Sequence, residues 1–163
     1  MPVERGLARL LGLRDVFVGP LASTQREQGL RARAAKTLSL LRTYPFVYVH
    51  LKGPDEPGHD GDAPRKKEVI EELDRFYFGP FLSGLDLSRV YLMVTADHAT
   101  PCVLKGHSSD PVPLLLVGGP SARGRNPEAR KFSERSGKEG ALGLLTGPEI
   151  MGRLARRHDP THD

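Results

Sequence analysis

Three short segments of the sequence carry acidic and imidazole side chains at spacings that suit metal binding. The first holds Asp55 and His59, the second holds the adjacent pair Asp97 and His98, and the third holds His107. This mixture of carboxylate and imidazole ligands suits divalent ions such as Mn, Zn, Co or Mg. A pair of such ions can activate a nucleophile and neutralise a phosphoryl group during its transfer. The sequence therefore predicts a site for two divalent metal ions and phosphoryl-transfer chemistry.

Each segment alone is weak evidence for a metal site. A carboxylate and a histidine four residues apart are more often a turn residue and a solvated side chain. Around Asp55 and His59, the residues Pro54, Pro57 and Gly58 favour a rigid loop over a helix. The metal interpretation gains weight because all three segments adjoin predicted strands at one end of a sheet.

Composition limits the classes of partner. The chain has 163 residues and a net charge of +4, without the dense basic runs of a nucleic-acid-binding tail, so a phosphorylated metabolite is the more plausible anion. Cys102 is the single cysteine, which excludes an intrachain disulfide. No apolar run approaches the roughly 20 residues of a membrane span, and the first residues lack an apolar signal core. These features predict a cytoplasmic protein that binds neither nucleic acid nor membrane.

Apolar patterning predicts helices that alternate with strands. An α/β fold with a mainly parallel sheet flanked by helices follows from this alternation. Glycine and proline at positions 79 and 80 are expected to break or kink the third helix, and residues 119–140 read as a surface loop. The predicted helices span residues 3–12, 25–41, 66–74 and 148–157, and the predicted strands span residues 16–18, 46–51, 90–94 and 112–117.

The last predicted strand is expected to run antiparallel, at or near an edge of the sheet. The connection from Val94 to Val112 shows no helical pattern, and parallel strands are usually joined by a crossover that contains a helix. The other strands are apolar along both faces, as in a sheet buried on both sides. An antiparallel return would begin at the sheet end where Asp55 and Asp97 lie, and it would bring His107 to them.

Other candidate residues carry less weight. His50 lies within a predicted strand. It is expected to be a core histidine, or to contact a metal ligand without binding the metal itself. Lys105 could contact a phosphate, although a plain surface lysine explains it equally well. For the remaining candidates we expect packing or solvated roles: Cys102, Arg123, Arg125, Arg130, Lys131, His158 and His162.

The same segments resemble those of a known family, the archaeal-type cofactor-independent phosphoglycerate mutases of the alkaline phosphatase superfamily. Residues 46–61, 95–101 and 107–113 are similar to that family's metal-binding segments in order and spacing. Residues 132–135 and 140–143 are similar to its C-terminal end. The resemblance covers nearly the whole chain, and it implies an alkaline-phosphatase-like fold of which residues 1–163 are the C-terminal part.

The resemblance also implies roles for individual residues. Asp55, His59 and His107 would hold one metal, and Asp97 and His98 the other. The family interconverts 3- and 2-phosphoglycerate through a phosphoserine. Its nucleophilic serine and a further aspartate ligand come from an N-terminal segment, to which no part of this sequence corresponds. We therefore expect an incomplete fold, little or no activity from this chain alone, and either self-association or an N-terminal partner segment.

Two other interpretations stay open. The site could serve a different phosphatase or phosphomutase of the superfamily, some relatives of which carry a phosphonopyruvate decarboxylase label. Alternatively, the chain could be a noncatalytic metal-binding interaction module.

Overall fold

The computed structural model describes residues 2–19, 21–119 and 131–157. The chain divides into two compact units. The first comprises Met1–Leu51 and Glu68–Gly84, and the second comprises Lys52–Lys67 and Leu85–Asp163. The helices are α1 (Pro2–Leu10), α2 (Arg26–Leu41), α3 (Asp55–Asp60), α4 (Ala63–Leu73), α5 (Gly79–Ser83), α6 (Glu134–Lys138) and α7 (Gly147–Arg157), and the strands are β1 (Tyr91–Thr95) and β2 (Leu114–Gly118).

The core of the first unit forms around α2. Leu30 and Ala34 of this helix are fully buried. One turn further along, the Thr37 hydroxyl lies 3.0 Å from that of Tyr77, and the Tyr77 ring stacks on Phe81 with centroids 5.6 Å apart. Burial raises the pKa of Tyr77, and the hydrogen bond with Thr37 opposes this shift. The predicted helices at 3–12 and 25–41 are thus confirmed as α1 and α2.

Gly79 and Pro80 do not end the third predicted helix. Helix α4 passes into a π-helical segment, Asp74–Phe78, and then into α5. Pro80 has no N–H and its ring would crowd the carbonyl four residues earlier in a regular α-helix. The wider π turn removes this conflict, and the N–H of Gly79 donates to the carbonyl of Asp74, five residues back. The expected break is therefore a local change of helix type.

The predicted strands at 16–18 and 46–51 are absent from the described residues, and with them the mainly parallel sheet. Phe46 and Tyr48 are 51% and 70% exposed, and Val49 on the opposite face is 39% exposed, so neither face of this apolar segment is buried. The prediction for His50 was also wrong: the residue is exposed, with its Nδ1 3.9 Å from a carboxylate oxygen of Glu4. An apolar composition favours burial of a segment, but a strand forms only where a neighbouring strand offers hydrogen-bond partners.

The antiparallel return strand is confirmed in the second unit. Strands β1 and β2 pair antiparallel, with Tyr91 opposite Gly118 and Thr95 opposite Leu114. They are half-buried for the most part, not covered on both faces as predicted. Beyond the ladder, an isolated bridge joins Ala99 to Ser108, so the connecting loop folds back on itself. This pairing defines the position of the loop that carries the second and third ligand segments.

The C-terminal part contains one predicted and one unpredicted helix. Helix α7 confirms the prediction at 148–157, whereas α6 lies inside the segment predicted to be a loop. Ser133 caps α6 by accepting a hydrogen bond from the N–H of Ser136, a start signal that the sequence analysis missed. Lys131 is exposed. No helix in the described part of the chain is long and apolar enough to cross a membrane. Outside the described residues lie Arg123, Arg125, Arg130, His158 and His162.

Candidate metal centre

Asp55 and His59 lie on a short helix, not on the predicted rigid loop. Helix α3 begins directly after Pro54, and Pro57 occupies its first turn, where a backbone N–H has no intrahelical partner. Gly61 ends the helix with a φ of +77°, and its N–H donates to the carbonyls of Gly58 and Pro57. Residues four apart share one face of a helix, so α3 presents the carboxylate and the imidazole side by side.

His107 reaches this pair through the loop between the strands. The N–H of Ser108 donates to the carbonyl of Ala99 at 3.1 Å, which draws the two arms of the loop together. His107 therefore stands next to His59, and their Nε2 atoms are 3.1 Å apart. The spatial convergence expected from an antiparallel return strand is observed.

The three side chains form a compact ligand set. Oδ1 of Asp55 lies 3.5 Å from Nε2 of His59 and 3.6 Å from Nε2 of His107. One ligand atom from each residue lies within 4.8 Å of the others. Two ligand atoms on a tetrahedral ion with bonds of about 2.0–2.1 Å would be about 3.3 Å apart. The spacing and the donor types therefore fit a divalent ion, with coordination positions left for water or substrate.

Asp97 and His98 form a second, smaller pair beside the first. Oδ2 of Asp97 lies 3.9 Å from Nε2 of His98, while Nδ1 of His98 lies 4.0 Å from Oδ1 of Asp55. The rings of His98 and His107 are close, with centroids 3.7 Å apart. Asp97 is 81% exposed at its side chain. The five predicted ligand residues thus lie in one cluster, and the second pair offers fewer ligands than the first.

The backbone orients His59. Its Nδ1 lies 3.3 Å from the carbonyl oxygen of Lys105, which can only accept a hydrogen bond. The proton of the neutral ring is therefore on Nδ1, and the lone pair of Nε2 faces the cluster. Lys105 itself has a φ of +51°, and its side chain lies over Gly61. Lys105 was a candidate phosphate contact through its side chain, whereas its contact with His59 comes from its main chain.

Thr100 is a site residue that the sequence analysis did not single out. It is 4% exposed, and its hydroxyl donates a 2.6 Å hydrogen bond to Oδ1 of Asp55. This bond is the main reason why the pKa of Asp55 lies below its ordinary value. Partial burial opposes the shift, and the imidazoles of His59, His98 and His107 add to it. In the sequence, the feature that could have indicated Thr100 as a site residue is its position two residues after His98.

Lys66 holds the main chain of Thr100. Its Nζ donates to the backbone carbonyl of Thr100 at 2.6 Å. Gly58 lies against that carbonyl, and a Cβ added to Gly58 would be only 2.8 Å from the oxygen. The sulfur of Cys102 lies 4.0 Å from the carbonyl of Pro57, in a half-buried position. Helix α3 and the ligand loop are therefore packed closely together.

The serine nearest to the cluster in sequence has a carboxylate partner. The hydroxyl of Ser108 donates to Oδ2 of Asp110 at 2.6 Å, and the N–H of Asp110 lies 3.5 Å from the same hydroxyl oxygen. Two other serines have comparable local partners: Ser83 donates to the carbonyl of Gly79, and Ser88 donates to Asp86. These local hydrogen bonds do not mark any of the three as a nucleophile.

Comparison with known proteins agrees with this chemistry. The sequence profile of the Metalloenzyme superfamily matches residues 18–154. The 2,3-bisphosphoglycerate-independent phosphoglycerate mutase of Aeropyrum pernix is 42% identical over 162 residues, and the match covers 95% of this chain and 37% of that protein. The protein of the same name from Pyrococcus horikoshii is 39% identical over 147 residues, and the match covers 90% of this chain and 34% of that protein.

A solved structure of a Pyrococcus horikoshii protein has a similar fold. Its TM-score to this chain is 0.78 at 37% sequence identity, and the alignment covers 95% of this chain and 40% of that one. The chain thus spans well under half the length of the relatives that it matches. Since the superfamily profile extends over most of the sequence, the chain belongs to the Metalloenzyme superfamily.

Proposed function

We propose that this chain supplies metal-binding residues to the active site of a cofactor-independent phosphoglycerate mutase, as its C-terminal part. The enzyme would interconvert 3- and 2-phosphoglycerate through a phosphoserine. The observation that carries the proposal is the convergence of Asp55, His59 and His107, whose ligand atoms lie within 4.8 Å of one another. The named relatives support the choice of reaction.

The five clustered residues divide into two ligand sets. Asp55, His59 and His107 would hold one divalent ion, and Asp97 and His98 would contribute to holding a second. Mn, Zn, Co and Mg all tolerate such mixed ligands. When bound, divalent ions supply positive charge that offsets the charge of a transferring phosphoryl group and favours ionisation of a hydroxyl nucleophile.

The residues of the chain prepare this site in three ways. The carbonyl of Lys105 holds the His59 ring so that its Nε2 faces the cluster, and the hydroxyl of Thr100 keeps Asp55 ionised. The three main ligands are all exposed, which leaves room for an anionic substrate. The side chain of Lys105, two residues before His107, would serve as a phosphate contact, because lysines bind phosphates as point charges.

The reaction also needs a nucleophile, and Ser83, Ser88 and Ser108 are engaged in local hydrogen bonds. The longer relatives have additional sequence that could provide it, together with further metal ligands. We propose that such a segment pairs with residues 46–51 and completes a parallel sheet. In its absence the chain would be inactive or nearly so, and it would self-associate through the exposed apolar residues of that stretch.

A second candidate function is a noncatalytic metal-binding interaction module. The observation that favours it is the combination of a compact ligand cluster with the local hydrogen bond that Ser108, next to His107, donates to Asp110. A different phosphatase or phosphomutase of the superfamily would use the same cluster, which neither favours nor excludes phosphonopyruvate decarboxylation.

Metal analysis of the purified chain tests the shared basis of these functions. After loading with Mn, Co or Zn and exhaustive dialysis, the parent chain should retain close to one tightly bound ion. The His107→Ala variant should lose it, because a three-ligand site would be reduced to two. The His50→Ala variant is the matched control, since His50 is exposed and lies in the other unit. Absence of metal from the parent, or equal loss from both variants, would contradict the proposal.

A further inference from the structure

Thr100 is buried, whereas Asp55, His59 and His107 are exposed and His98 is half-buried. Its side-chain oxygen has two polar neighbours: Oδ1 of Asp55 at 2.6 Å and Nδ1 of His98 at 3.1 Å. Asp55 belongs to the first ligand set and His98 to the second. The hydroxyl of Thr100 therefore lies within hydrogen-bond distance of one member of each set.

Counting hydrogens determines the direction of both bonds. A hydroxyl has one hydrogen to donate, and an ionised carboxylate can only accept. The hydrogen of Thr100 is consequently directed to Asp55, which leaves the hydroxyl oxygen to accept a hydrogen from Nδ1 of His98. A neutral His98 ring then has its proton on Nδ1 and its lone pair on Nε2, the atom that lies 3.9 Å from Oδ2 of Asp97.

We propose that Thr100 is a positioning residue that selects the Nδ1–H tautomer of His98 and orients Asp55 at the same time. The importance of this for metal binding rests on the function proposed above, whereas the tautomer of His98 is a property of the metal-free chain. A histidine that binds a metal through one ring nitrogen commonly donates from the other, and loss of such a partner costs about 10- to 100-fold in affinity. Thr100 would provide this partner to one ligand and a hydrogen bond to another.

Two contacts hold the main chain of Thr100 in place for this role. Lys66 donates to its carbonyl at 2.6 Å, and Gly58 allows α3 to approach the same carbonyl closely. The hydroxyl therefore has little freedom to move away from Asp55 and His98. A positioning residue needs this kind of support, because a mobile hydroxyl would not discriminate between the two tautomers.

Ring-nitrogen NMR of the metal-free chain tests the proposal directly. At a pH of about 9, where imidazole side chains are generally neutral, the ¹⁵N shifts distinguish the two tautomers. The signals of His98 are assigned by their loss in His98→Gln. We expect the Nδ1–H tautomer to predominate in the parent and its ratio to the other form to fall about tenfold in Thr100→Val, as expected for loss of one hydrogen bond.

Two further variants separate positioning from general structural effects. Thr100→Ser keeps the hydroxyl and should retain the parent tautomer ratio, while Thr95→Val removes a hydroxyl that donates to the carbonyl of Pro113 and should leave the ratio unchanged. An Nε2–H tautomer in the parent would overturn the proposal without any variant, even if Thr100→Val failed to fold. An unchanged ratio in a folded Thr100→Val chain would overturn it as well.

Cobalt titration links the role of Thr100 to metal binding. Thr100→Val should weaken Co²⁺ binding by about 10- to 100-fold and change the visible absorption of the bound ion, and Thr100→Ser should restore both. A parent chain that binds no cobalt would overturn the proposed metal function. The tautomer ratio would still decide the role of Thr100 in that case, so the two failures can be distinguished.

Discussion

His59 and His107 face each other through their Nε2 atoms, which lie 3.1 Å apart although the two residues are 48 positions apart in the sequence. Because Nδ1 of His59 donates to the carbonyl of Lys105, its Nε2 can only accept, so in the metal-free chain Nε2 of His107 carries the shared hydrogen. A metal ion binding to both atoms would displace that hydrogen. The two rings are therefore already placed for both Nε2 atoms to bind the same metal ion.

The two ligand sets should differ in affinity. His59→Ala removes one of three ligands of the first set and should weaken the tightest metal binding by at least about tenfold. Asp97→Ala removes an exposed member of the two-ligand set and should change that binding by less than about threefold. Isothermal titration calorimetry with Mn²⁺ or Co²⁺ measures the change in metal affinity of both variants. A second ion should bind weakly or not at all. If Asp97→Ala were the more damaging variant, the assignment of the two sets would be reversed.

The isolated chain should not interconvert 3- and 2-phosphoglycerate at a useful rate. Removing the nucleophile from a cooperative catalytic site usually lowers the rate by several orders of magnitude, since the remaining groups can only bind and polarise. An enolase-coupled assay with Mn²⁺ or Co²⁺ measures this. Robust turnover would contradict the expectation and would direct attention to Ser108, with Ser108→Ala as the variant to compare with Ser83→Ala.

Substitution of Gly58 should damage both stability and metal binding. The Cβ of Gly58→Ala would lie 2.8 Å from the backbone oxygen of Thr100, so α3 must move away from the ligand loop. Overpacking of this kind typically costs about 1–3 kcal/mol in the free energy of unfolding. Gly79→Ala is the matched control, because its Cβ would lie 3.6 Å from the carbonyl oxygen of Asp74, an ordinary van der Waals distance. It should be neutral or stabilising by up to about 1 kcal/mol.

Denaturant unfolding and cobalt titration of the two glycine variants provide the comparison. Equal unfolding free energies for Gly58→Ala and Gly79→Ala would show that α3 tolerates a shift, and the close contact with Thr100 would then have little energetic importance.

The start of α7 should be sensitive to acid. Oε2 of Glu149 accepts hydrogen bonds from both the N–H and the hydroxyl of Thr146, at 2.7 and 2.8 Å, and these bonds lower the pKa of Glu149 below its ordinary value. A carboxyl group with a lowered folded-state pKa stabilises the fold above its ordinary pKa, and this contribution is lost as the pH falls through the lowered value. The helix start should therefore loosen only in that acidic range.

NMR titration of the Glu149 carboxyl measures this shift. In Thr146→Ala the pKa should move part of the way back toward the ordinary value, since the hydroxyl is lost but the N–H remains. Thr43→Ala, which lies in the other unit, should leave the titration unchanged. A Glu149 that titrates identically in all three chains would show that the hydroxyl of Thr146 does not contribute.

The exposed apolar stretch at 46–51 should promote self-association. Tyr48 and Phe46 lie largely in contact with water, and exposed extended segments of this type tend to find a pairing partner. Light scattering across a dilution series should show mass above that of the monomer at high concentration, and a Phe46→Ser/Tyr48→Ser double variant should reduce it. Val103→Ser is the control, because Val103 is 94% exposed but lies in the ligand loop. A monomer at every concentration would contradict the expectation.

Local features of the sequence were enough to predict much of the molecule. The helix at 25–41 followed from apolar patterning alone and is observed as α2, with Leu30, Ala34 and Thr37 buried. The antiparallel return of β2 followed from the absence of a helix between it and β1. The choice of five possible ligands, Asp55, His59, Asp97, His98 and His107, followed from the chemistry of carboxylates and imidazoles. These predictions depend on short-range periodicity and side-chain type, which the sequence contains directly.

The tertiary structure decided the features that depend on a partner. Residues 46–51 have the composition of a buried strand, yet strand formation requires hydrogen-bonding neighbours that composition cannot specify. The helical form of α3 depends on Pro57 falling in the first turn, where its missing N–H has no cost. The role of Thr100 became visible only once folding placed its hydroxyl between Asp55 and His98, because hydrogen bonds are short and directional and sequence distance does not encode them.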